Sequence, residues 1–284
     1  MLLPCDSARK CLTKATLRGI IYLKRKITIP TSERTVRMRS AVMITGATRG
    51  IGRALVYAFA RKGFDVAFCS GKEEDCQALL GELKTAYPEN RYFARTCNVA
   101  DGAQIGAFVA LAREALGSFK ILINNAGYGV FDEFTSISAE DWQKIFAVNF
   151  MGPVLLCEEL IPHFLENEGY PKGVIVNIGS YSVEKYVPGN IAYAASKGSL
   201  KTFSEDLFCE YRTRGICVTY VSLGSVNTGF SKRFSANADR KMTPDDVAEA
   251  ISSAVEVMLG AKNLCISNLE LRSTTPADAP GVKE

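Results

Sequence analysis

The sequence predicts a doubly wound α/β fold, a parallel β-sheet covered by helices on both faces within a single domain. Two observations predict it. From Ala41 to Leu271, apolar stretches of strand length alternate with longer segments whose apolar residues recur at helical spacing. The first apolar stretch is followed by a glycine-rich segment, Thr45 to Gly52, and then by a helix. This is the order of elements in which a phosphate-binding turn occurs.

Each predicted strand is a short apolar run that ends at polar or glycine residues. The first run resembles buried parallel strands, whereas the last run mixes polar and apolar residues and is expected at an edge of the sheet. The predicted strand order is 3-2-1-4-5-6-7. The predicted strands are 41–44, 65–70, 91–99, 120–124, 173–178, 217–223 and 264–271.

Capping and stop residues mark the predicted helix ends. The helix that begins at Ile51 places its apolar residues on one face and stops at Gly63. Asp101 and Thr243 are expected N-caps, and Gly215 is an expected stop. The predicted helices are 51–62, 73–87, 102–117, 138–165, 192–214 and one that begins at 244.

The three glycines of the first turn have separate tasks. Gly46 turns the chain tightly, Gly50 lets backbone N–H groups approach a pyrophosphate, and Gly52 lets the helix pack close to the strand. A glycine triplet alone also fits an ordinary turn. The interpretation therefore depends on residues elsewhere in the chain.

The composition of the chain argues against several classes of function. The 284 residues are 47% hydrophobic and 23% charged, and no apolar run approaches the roughly 20 residues that a membrane helix needs, so we expect no membrane partner. Nine cysteines without a C-x-x-C pair indicate reduced thiols in a reducing compartment. Because His163 is the only histidine, neither a Ser-His-Asp triad nor a metal site is expected. His163 is instead predicted to be a helix residue with a satisfied ring.

Residues 1–38 form a basic extension without clear periodicity. Residues 1–40 hold ten Lys and Arg against two Asp and Glu, and because the whole chain is +4, the rest carries −4. No recognition-helix pattern accompanies this charge, so no nucleic-acid partner is expected. The extension fits an organellar transit peptide, which would place the protein in an organelle matrix. We favour a disordered or untranslated extension, with Met38 as the true start and a cytoplasmic protein. The domain is then 39–273, with a disordered tail at 274–284.

Tyr193 and Lys197 lie at the start of a predicted helix, one turn apart on one face. An ammonium beside a phenol favours the phenolate and lowers its pKa from about 10 toward working pH. Tyr193 could then exchange a proton with a carbonyl or alcohol oxygen while a hydride moves to or from carbon. This spacing alone also fits a surface pair.

Several motifs together resemble the short-chain dehydrogenase/reductase family over about residues 41–272. They are the T-G-x-x-x-G-x-G turn, the Asn-Asn-Ala-Gly segment at 124–127 and the Tyr-Ala-Ala-Ser-Lys segment at 193–197. The resemblance implies a Rossmann-type fold. It also implies that Ser180 hydrogen-bonds the substrate oxygen and the catalytic tyrosine, and that Asn149 kinks the long helix and holds a proton-relay water. Lys197 would lower the pKa of Tyr193 and hold the nicotinamide ribose.

NADP(H), rather than NAD(H), is the cofactor that the resemblance favours. The family binds the ribose 2′-hydroxyl of NAD with an acid at the end of the second strand, but this chain has Cys-Ser-Gly-Lys at 69–72. Arg49, Ser70 and Lys72 would receive a 2′-phosphate. The predicted cofactor-binding residues are Gly46, Thr48, Arg49, Gly50, Ile51, Gly52, Ser70, Lys72, Asn98, Val99, Asn125, Ala126, Gly127, Tyr193, Lys197, Val226 and Thr228.

The chain departs from the family pattern in three places. Asn98 stands where relatives usually have an aspartate near the adenine, and Leu223 replaces the proline of a Pro-Gly pair. The covering loop, 229–242, is short and basic, which suits either an acidic substrate or a solvated face. The ending at 264–273 resembles the NADP-dependent 3-hydroxy-acid dehydrogenase and short carbonyl-reductase branch. The loop's basic residues are Lys232, Arg233, Arg240 and Lys241.

The predicted function is interconversion of a small-molecule carbonyl and an alcohol with NADP(H). Two alternatives stay open, a 3-oxoacyl thioester reductase and a non-catalytic NADP-binding sensor or scaffold. The resemblance implies a homodimer or homotetramer through the helices that carry Asn149 and Tyr193. No substrate follows from the sequence. The aromatic candidates for the pocket are Tyr128, Phe131, Tyr181, Tyr186, Phe230 and Phe234.

Overall fold

The computed structural model describes residues 40–230 and 238–274. The extension at 1–38 lies outside the described residues, as do Lys232, Arg233, Phe234 and all of the 274–284 tail except Thr274. The predictions made for these segments therefore stay predictions.

A parallel sheet of seven strands forms the centre of the described residues. The strands are β1 (Ala41–Thr45), β2 (Asp65–Ser70), β3 (Tyr92–Thr96), β4 (Phe119–Asn124), β5 (Gly173–Ile178), β6 (Ile216–Leu223) and β7 (Asn268–Leu271). Their order is β3-β2-β1-β4-β5-β6-β7, which confirms the predicted order. All six neighbouring pairs are parallel, so the carboxyl ends of β1, β4 and β5 lie side by side at one edge.

Helices cover both faces of the sheet. They are α1 (Gly50–Arg61), α2 (Glu73–Ala86), α3 (Gly102–Leu116), α4 (Ala139–Phe146), α5 (Gly152–Glu166), α6 (Ile191–Tyr211) and α7 (Pro244–Gly260). The two predicted N-caps form. Asp101 accepts from the N–H groups of Ala103 and Gln104, and Thr243 accepts from that of Asp246. The fold is therefore the single doubly wound α/β domain that the sequence predicts.

The core has two halves, one on each face of the sheet. Alternate residues of β1 point to opposite faces. Val42 and Ile44 therefore pack in the half that includes Phe59 of α1. Met43 packs in the other half, which includes Phe164 of α5. Because both faces are covered, β1, β2, β5 and β6 are buried along their whole length.

Two strands are shorter than predicted because side chains redirect the backbone. β3 ends at Thr96 instead of residue 99, since Asn98 forms a turn in which its Oδ1 accepts from the N–H of Ala100 at 3.1 Å. β7 begins at Asn268 instead of residue 264. Just before this strand, the N–H of Ile266 donates to the Met258 sulfur at 3.3 Å.

The helix predicted at 138–165 contains a π-helical turn, Ala147–Met151, between α4 and α5. The run Ala139–Glu166 is long and apolar enough by length and composition to cross a membrane, which the sequence analysis did not anticipate. Much of its apolar surface is internal, since Leu156, Leu160 and Phe164 pack in the core. Core helices of globular domains often pass this test, so the run alone does not indicate a membrane span.

Candidate active site and cofactor cleft

The glycine-rich turn after β1 is built to remain free of side chains. Gly46 and Gly50 adopt φ angles of +63° and +53°, which side-chain-bearing residues rarely adopt. A Cβ on Gly46 would lie 2.7 Å from the Cα of Ala126, and one on Gly52 would lie 2.2 Å from the carbonyl oxygen of Gly46. The turn therefore requires glycine for its backbone conformation and for close packing.

The N-terminus of α1 leaves backbone donors for an anion. Its N-cap, Arg49, makes no side-chain capping hydrogen bond, and the first turn holds no acidic residue. The N–H groups of a first helical turn have no intrahelical partner and attract negative charge. Ile51 is half-buried in this turn. Together with the bare glycine backbone, this end of α1 fits a dinucleotide phosphate.

Asn125 ties the end of β4 to the glycine-rich turn. Its Nδ2 donates to the carbonyl oxygens of Thr45 and Gly46, both at 2.9 Å. In return, the Thr45 hydroxyl accepts from the N–H groups of Asn125 and Ala126, both at 3.1 Å. Gly127 follows, exposed, at the mouth of the site. The Asn-Asn-Ala-Gly segment therefore holds the turn rigidly against the neighbouring strand.

The end of β2 carries hydroxyl groups and positive charge. Thr48 donates to the Ser70 hydroxyl at 3.0 Å, and the backbone N–H of Lys72 lies 3.4 Å from the same oxygen. Arg49 and Lys72 are exposed, and neither forms an ion pair within the described residues. Glu73 is the first acidic residue after β2, and its carboxylate accepts a hydrogen bond from the Thr96 N–H at 2.6 Å. This edge of the cleft could therefore hold an additional phosphate.

The remaining cofactor candidates line the same edge of the sheet. Val99 is 7% exposed, and its carbonyl oxygen would lie 2.6 Å from a Cβ on Gly152. Val226 forms a parallel bridge with Met242. The side chain of Thr228 reaches across to the glycine-rich turn, since a Cβ on Gly50 would lie 3.1 Å from that of Thr228. The loop after β6 therefore closes over the turn even without the family's proline.

Tyr193 and Lys197 lie one turn apart on α6, beside the end of β5. Lys197 is 3% exposed, and its Nζ donates to the carbonyl oxygen of Ile178 at 2.7 Å. The Nζ lies 5.8 Å from the centroid of the Tyr193 ring. Burial lowers the pKa of Lys197 to about 8. The alternative of a surface pair is therefore wrong.

The pKa of Tyr193 differs from the expectation. Burial raises it to about 12, and a hydrogen bond with the side chain of Ser180 opposes this rise. The pKa of Tyr193 therefore lies above its ordinary value and not below it, because burial desolvates the phenolate, while Lys197 Nζ lies 5.8 Å from the ring centroid and donates to a carbonyl oxygen. That Lys197 lowers the pKa of Tyr193 stays a prediction.

Ser180 lies directly after β5 and is held by residues that the sequence analysis did not identify. Its backbone N–H donates to the Tyr220 hydroxyl at 3.1 Å, and its Oγ accepts from the Ser182 hydroxyl at 2.9 Å. A Cβ on Gly179 would lie 2.1 Å from the Tyr220 ring, so glycine is required there. Nothing in a single sequence indicates this contact, since Tyr220 lies on β6, 40 residues away.

Asn149 is fully buried in the π-helical turn and fixes the loop after β4. Its Oδ1 accepts from the Tyr128 N–H and its Nδ2 donates to the Tyr128 carbonyl oxygen, each at 2.8 Å. The same Nδ2 lies 2.9 Å from the Ser196 hydroxyl, which donates to the carbonyl oxygen of Tyr193 at 2.7 Å. Asn149 therefore connects α6 to the mouth of the site. Ser196 lies within the Tyr-Ala-Ala-Ser-Lys segment but was not predicted to take part.

The aromatic pocket candidates separate into three groups. The rings of Phe131 and Phe230 lie against Tyr193. Tyr128 and Tyr181 instead contact cations, Lys144 and Arg272 respectively. Tyr186 is 90% exposed, and Phe234 lies outside the described residues.

The histidine is helical, and the described cysteines are free. Nε2 of His163, on α5, lies 2.8 Å from the Arg113 guanidinium, as expected for a helix residue, but its buried Nδ1 has no hydrogen-bond partner among the described residues, so the expectation of a satisfied ring is wrong for that nitrogen. The seven cysteines among the described residues are all free. No group of three or more His, Cys, Asp or Glu side chains that could hold a metal ion occurs in the part of the chain that the structure describes.

The fold and this site together define a class of protein, a nucleotide-dependent oxidoreductase with its site at the carboxyl edge of a doubly wound sheet. Residues 40–239 match the family model for short chain dehydrogenases. The chain belongs to the short-chain dehydrogenase/reductase family, whose members act on alcohols and carbonyl compounds.

Individual relatives agree with this assignment. The chain is 33% identical to glucose 1-dehydrogenase of Gluconobacter oxydans over 66% of this chain and 69% of that protein. It is similar in structure to an alcohol dehydrogenase from Thermococcus sibiricus complexed with 5-hydroxy-NADP, with a TM-score of 0.76, 22% identity and 86% and 99% of the two chains covered. A 3-ketoacyl-(acyl-carrier-protein) reductase from Brucella melitensis complexed with NADH has a TM-score of 0.75 and 26% identity, covering 83% and 98%.

Proposed function

We propose that this protein interconverts a carbonyl compound and an alcohol with NADP(H), using Tyr193 as the general acid/base. The observation that carries the proposal is the convergence of Tyr193, Lys197, Ser180 and Asn149 at the ends of β4 and β5, beside the glycine-rich turn. An acid, a cation and an oxygen-orienting hydroxyl next to a dinucleotide cleft are the groups that hydride transfer to a carbonyl needs.

Each of the four side chains has a distinct part in the proposed reaction. Ser180 orients the carbonyl oxygen, and Tyr193 donates its proton to that oxygen as negative charge develops there. Lys197 supports the phenolate that remains and holds the nicotinamide ribose. Asn149 holds α6 and the loop after β4 in their relative positions, and it supports the return of the proton to Tyr193. The NADPH, when bound, supplies the hydride.

The pKa values of the site support carbonyl reduction. With a pKa of about 12, Tyr193 is fully protonated at neutral pH, which is the form a proton donor requires. With a pKa of about 8, Lys197 is mostly charged at pH 7. The ground state therefore holds a neutral acid beside a cation that stabilises its conjugate base.

The preference for NADP(H) over NAD(H) rests on the end of β2. Residues 69–72, at the end of β2, include no carboxylate that could bind a ribose 2′-hydroxyl. Arg49 and Lys72 supply two positive charges, and Ser70 supplies a hydroxyl, for a 2′-phosphate. The Brucella relative was solved with NADH, so the preference of this chain has to be measured.

The preference is tested by neutralising the charges. We expect Arg49→Gln combined with Lys72→Gln to raise KM for NADPH by about 10- to 100-fold, as expected for the loss of charge-assisted contacts to a phosphate. KM for NADH should change by less than about threefold. Arg53→Gln is the matched control, because Arg53 lies in the first turn of α1, just after Arg49, but pairs with Glu82. Equal losses with both cofactors would contradict the assignment of these residues to a 2′-phosphate.

Reduction of a 3-oxoacyl thioester is the second candidate reaction. The 26% identity to a 3-ketoacyl-(acyl-carrier-protein) reductase favours it, whereas the ending at 264–273 favours a short carbonyl reductase. A non-catalytic NADP-binding sensor is the third candidate. A sensor would not need Tyr193, Lys197 and Ser180 gathered at the end of β5.

A homodimer or homotetramer through the long helices is part of the proposal. Met151 and Ile191 are apolar side chains, 43% and 46% exposed, on the π-helical turn and at the start of α6. A second copy of the chain would bury them.

The decisive experiment measures NADPH and NADH oxidation by the purified chain with ketones, aldehydes, 3-oxo acids and acyl thioesters. We expect turnover with NADPH that Tyr193→Phe lowers at least 1,000-fold, since the phenol is the proton donor. Tyr186→Phe is the control, because that hydroxyl is on a 90% exposed side chain. Binding of NADPH without turnover of any substrate would favour the sensor.

A further inference from the structure

Three aromatic rings lie together at the proposed site. Phe131 and Phe230 have centroids 5.5 Å and 5.8 Å from that of Tyr193, and 6.2 Å from each other. Aromatic rings at these separations attract one another and exclude water from the space between them. The phenol of Tyr193 is therefore bounded on two sides by apolar ring surface.

Two glycines leave the space that the rings occupy. A Cβ on Gly129 would lie 2.7 Å from Phe131 and 3.4 Å from Phe230. A Cβ on Gly127 would lie 3.9 Å from Phe230. The rings therefore stand directly against the backbone after β4, next to the turn that ties β4 to the glycine-rich segment. We call Phe131 and Phe230 the aromatic wall.

Polar groups described beside the aromatic wall already have partners, since the Thr228 hydroxyl accepts from the Phe230 N–H at 3.2 Å and the Asn149 amide bonds to Tyr128 and Ser196. Ser180 and Ser182 are hydrogen-bonded to each other, and the segment between Ser180 and Tyr193 exposes apolar surface at Tyr186 and Val187. The Arg272 guanidinium stacks on Tyr181 and pairs with Glu270. A polyhydroxylated substrate would lose its water against the two rings without gaining from them any partners for its hydroxyl groups.

We propose that Phe131 and Phe230 are specificity-determining residues that select a ketone or aldehyde with an apolar, ring-sized group beside the carbonyl. Aryl and cycloalkyl carbonyl compounds fit this description, and sugars do not. The inference rests on the proposed function. Hydride adds to the carbonyl carbon, the proton of Tyr193 goes to the oxygen, and the products are the alcohol and NADP⁺. The ring of the substrate packs on the aromatic wall and holds the carbonyl at Tyr193.

The first part of the test compares substrates on the wild-type chain. With NADPH, we expect kcat/KM for acetophenone and cyclohexanone to exceed that for acetone by about 100-fold, since each ring presents several apolar carbons to the wall. With NADP⁺ or NAD⁺, we expect 1-phenylethanol to be oxidised and glucose not. A preference for glucose over 1-phenylethanol would overturn the inference and leave the proposed function standing.

The second part removes the rings singly. Phe131→Ala and Phe230→Ala should lower kcat/KM for acetophenone by about 10- to 100-fold and that for acetone by less than about threefold. Phe134→Ala is the matched control, because its ring is 63% exposed and contacts Trp142 instead of Tyr193. If an alanine variant unfolds, Phe131→Leu and Phe230→Leu keep the apolar volume and remove only the ring.

The outcomes separate the inference from the proposed function. Equal losses for acetophenone and acetone in both ring variants would overturn the aromatic wall alone, because turnover would still depend on Tyr193. Turnover of no carbonyl by the wild type with either cofactor would overturn both. Loss of the acetophenone-to-acetone ratio in the ring variants, with the ratio kept in Phe134→Ala, supports the inference.

Discussion

The positive charge of Lys197 lowers the stability of the folded protein, because the side chain is buried away from water. Its side chain is almost fully buried, and burial lowers its pKa from 10.5 to about 8. A shift of this size corresponds to roughly 3 kcal/mol of unfavourable free energy for the charged form. The hydrogen bond from Nζ to the Ile178 carbonyl oxygen offsets part of it. A buried lysine that reduces stability in this way is expected where the charge serves the reaction.

We therefore predict that Lys197→Met abolishes carbonyl reduction and stabilises the protein at pH 7 by about 1 kcal/mol, raising Tm by about 2–4 °C. The lysine binds its proton more weakly in the folded chain, so its cost is complete below pH 8 and disappears as pH rises toward 10.5. Because the roughly 3 kcal/mol cost is lost over that window, the stability difference should shrink from pH 8 upward and reverse within the window, at about pH 9. Thermal unfolding between pH 7 and pH 10.5 measures this.

Lys201→Met is the control for this prediction. Lys201 lies one turn further along α6, is partly exposed, and pairs with Glu184 at 2.6 Å. Burial contributes little to its free energy, so the stability of this variant relative to wild type should stay constant between pH 7 and pH 10. A difference for Lys197→Met that is equally independent of pH would contradict the buried-charge argument.

The turn between β1 and α1 is the element on which the cofactor cleft depends. Gly52 packs so closely that a methyl group would overlap the Gly46 carbonyl oxygen and approach Asn125. Gly81, in α2, has nothing within 4 Å of its missing Cβ and a φ in the ordinary range. A glycine-to-alanine substitution is therefore expected to destabilise the protein at position 52 and to stabilise it at position 81.

We predict that Gly52→Ala lowers the free energy of unfolding by about 3 kcal/mol and removes NADPH binding, because the strand and helix must separate to admit the methyl group. Gly81→Ala should raise it by about 0.5–1 kcal/mol, since alanine is the better helix former. Denaturant unfolding and NADPH fluorescence titration measure both effects. Normal NADPH binding by Gly52→Ala would contradict the role assigned to the turn.

At the scale of the whole molecule, the run from α4 to α5 is long and apolar, and part of its surface lies outside the core. It holds Asn149 inward and leaves Met151 partly exposed. We predict that Met151→Lys lowers the mass of the assembly in light scattering, because a charge would be buried between two copies. Ala78→Lys, on the exposed face of α2, is the control. A monomeric wild-type chain would contradict the oligomer proposal.

The sequence by itself determined the fold and predicted the position of the site. Strand and helix periodicity is a local property, so the seven strands followed from alternation, and their order from the doubly wound fold that the family resemblance implies. Asn149, Ser180, Tyr193 and Lys197 could be predicted because their types and spacing match the family's motifs. Two predicted strand boundaries were wrong, and a side chain bonds a backbone N–H at each of them. The Asn98 amide oxygen accepts from the Ala100 N–H, and the Met258 sulfur accepts from the Ile266 N–H.

Only the tertiary structure decided the properties that depend on contacts between distant segments. The sequence gives no measure of desolvation, so it predicted a lowered pKa for Tyr193, whereas burial raises it. Tyr220 and Ser196, which position Ser180 and Asn149, become visible only when β6 and the π-helical turn meet the site. Phe131 and Phe230 lie 99 residues apart in the numbering, and the packing of two loops brings them to Tyr193. Burial and long-range packing are properties of the folded chain, and for that reason local patterns do not contain them.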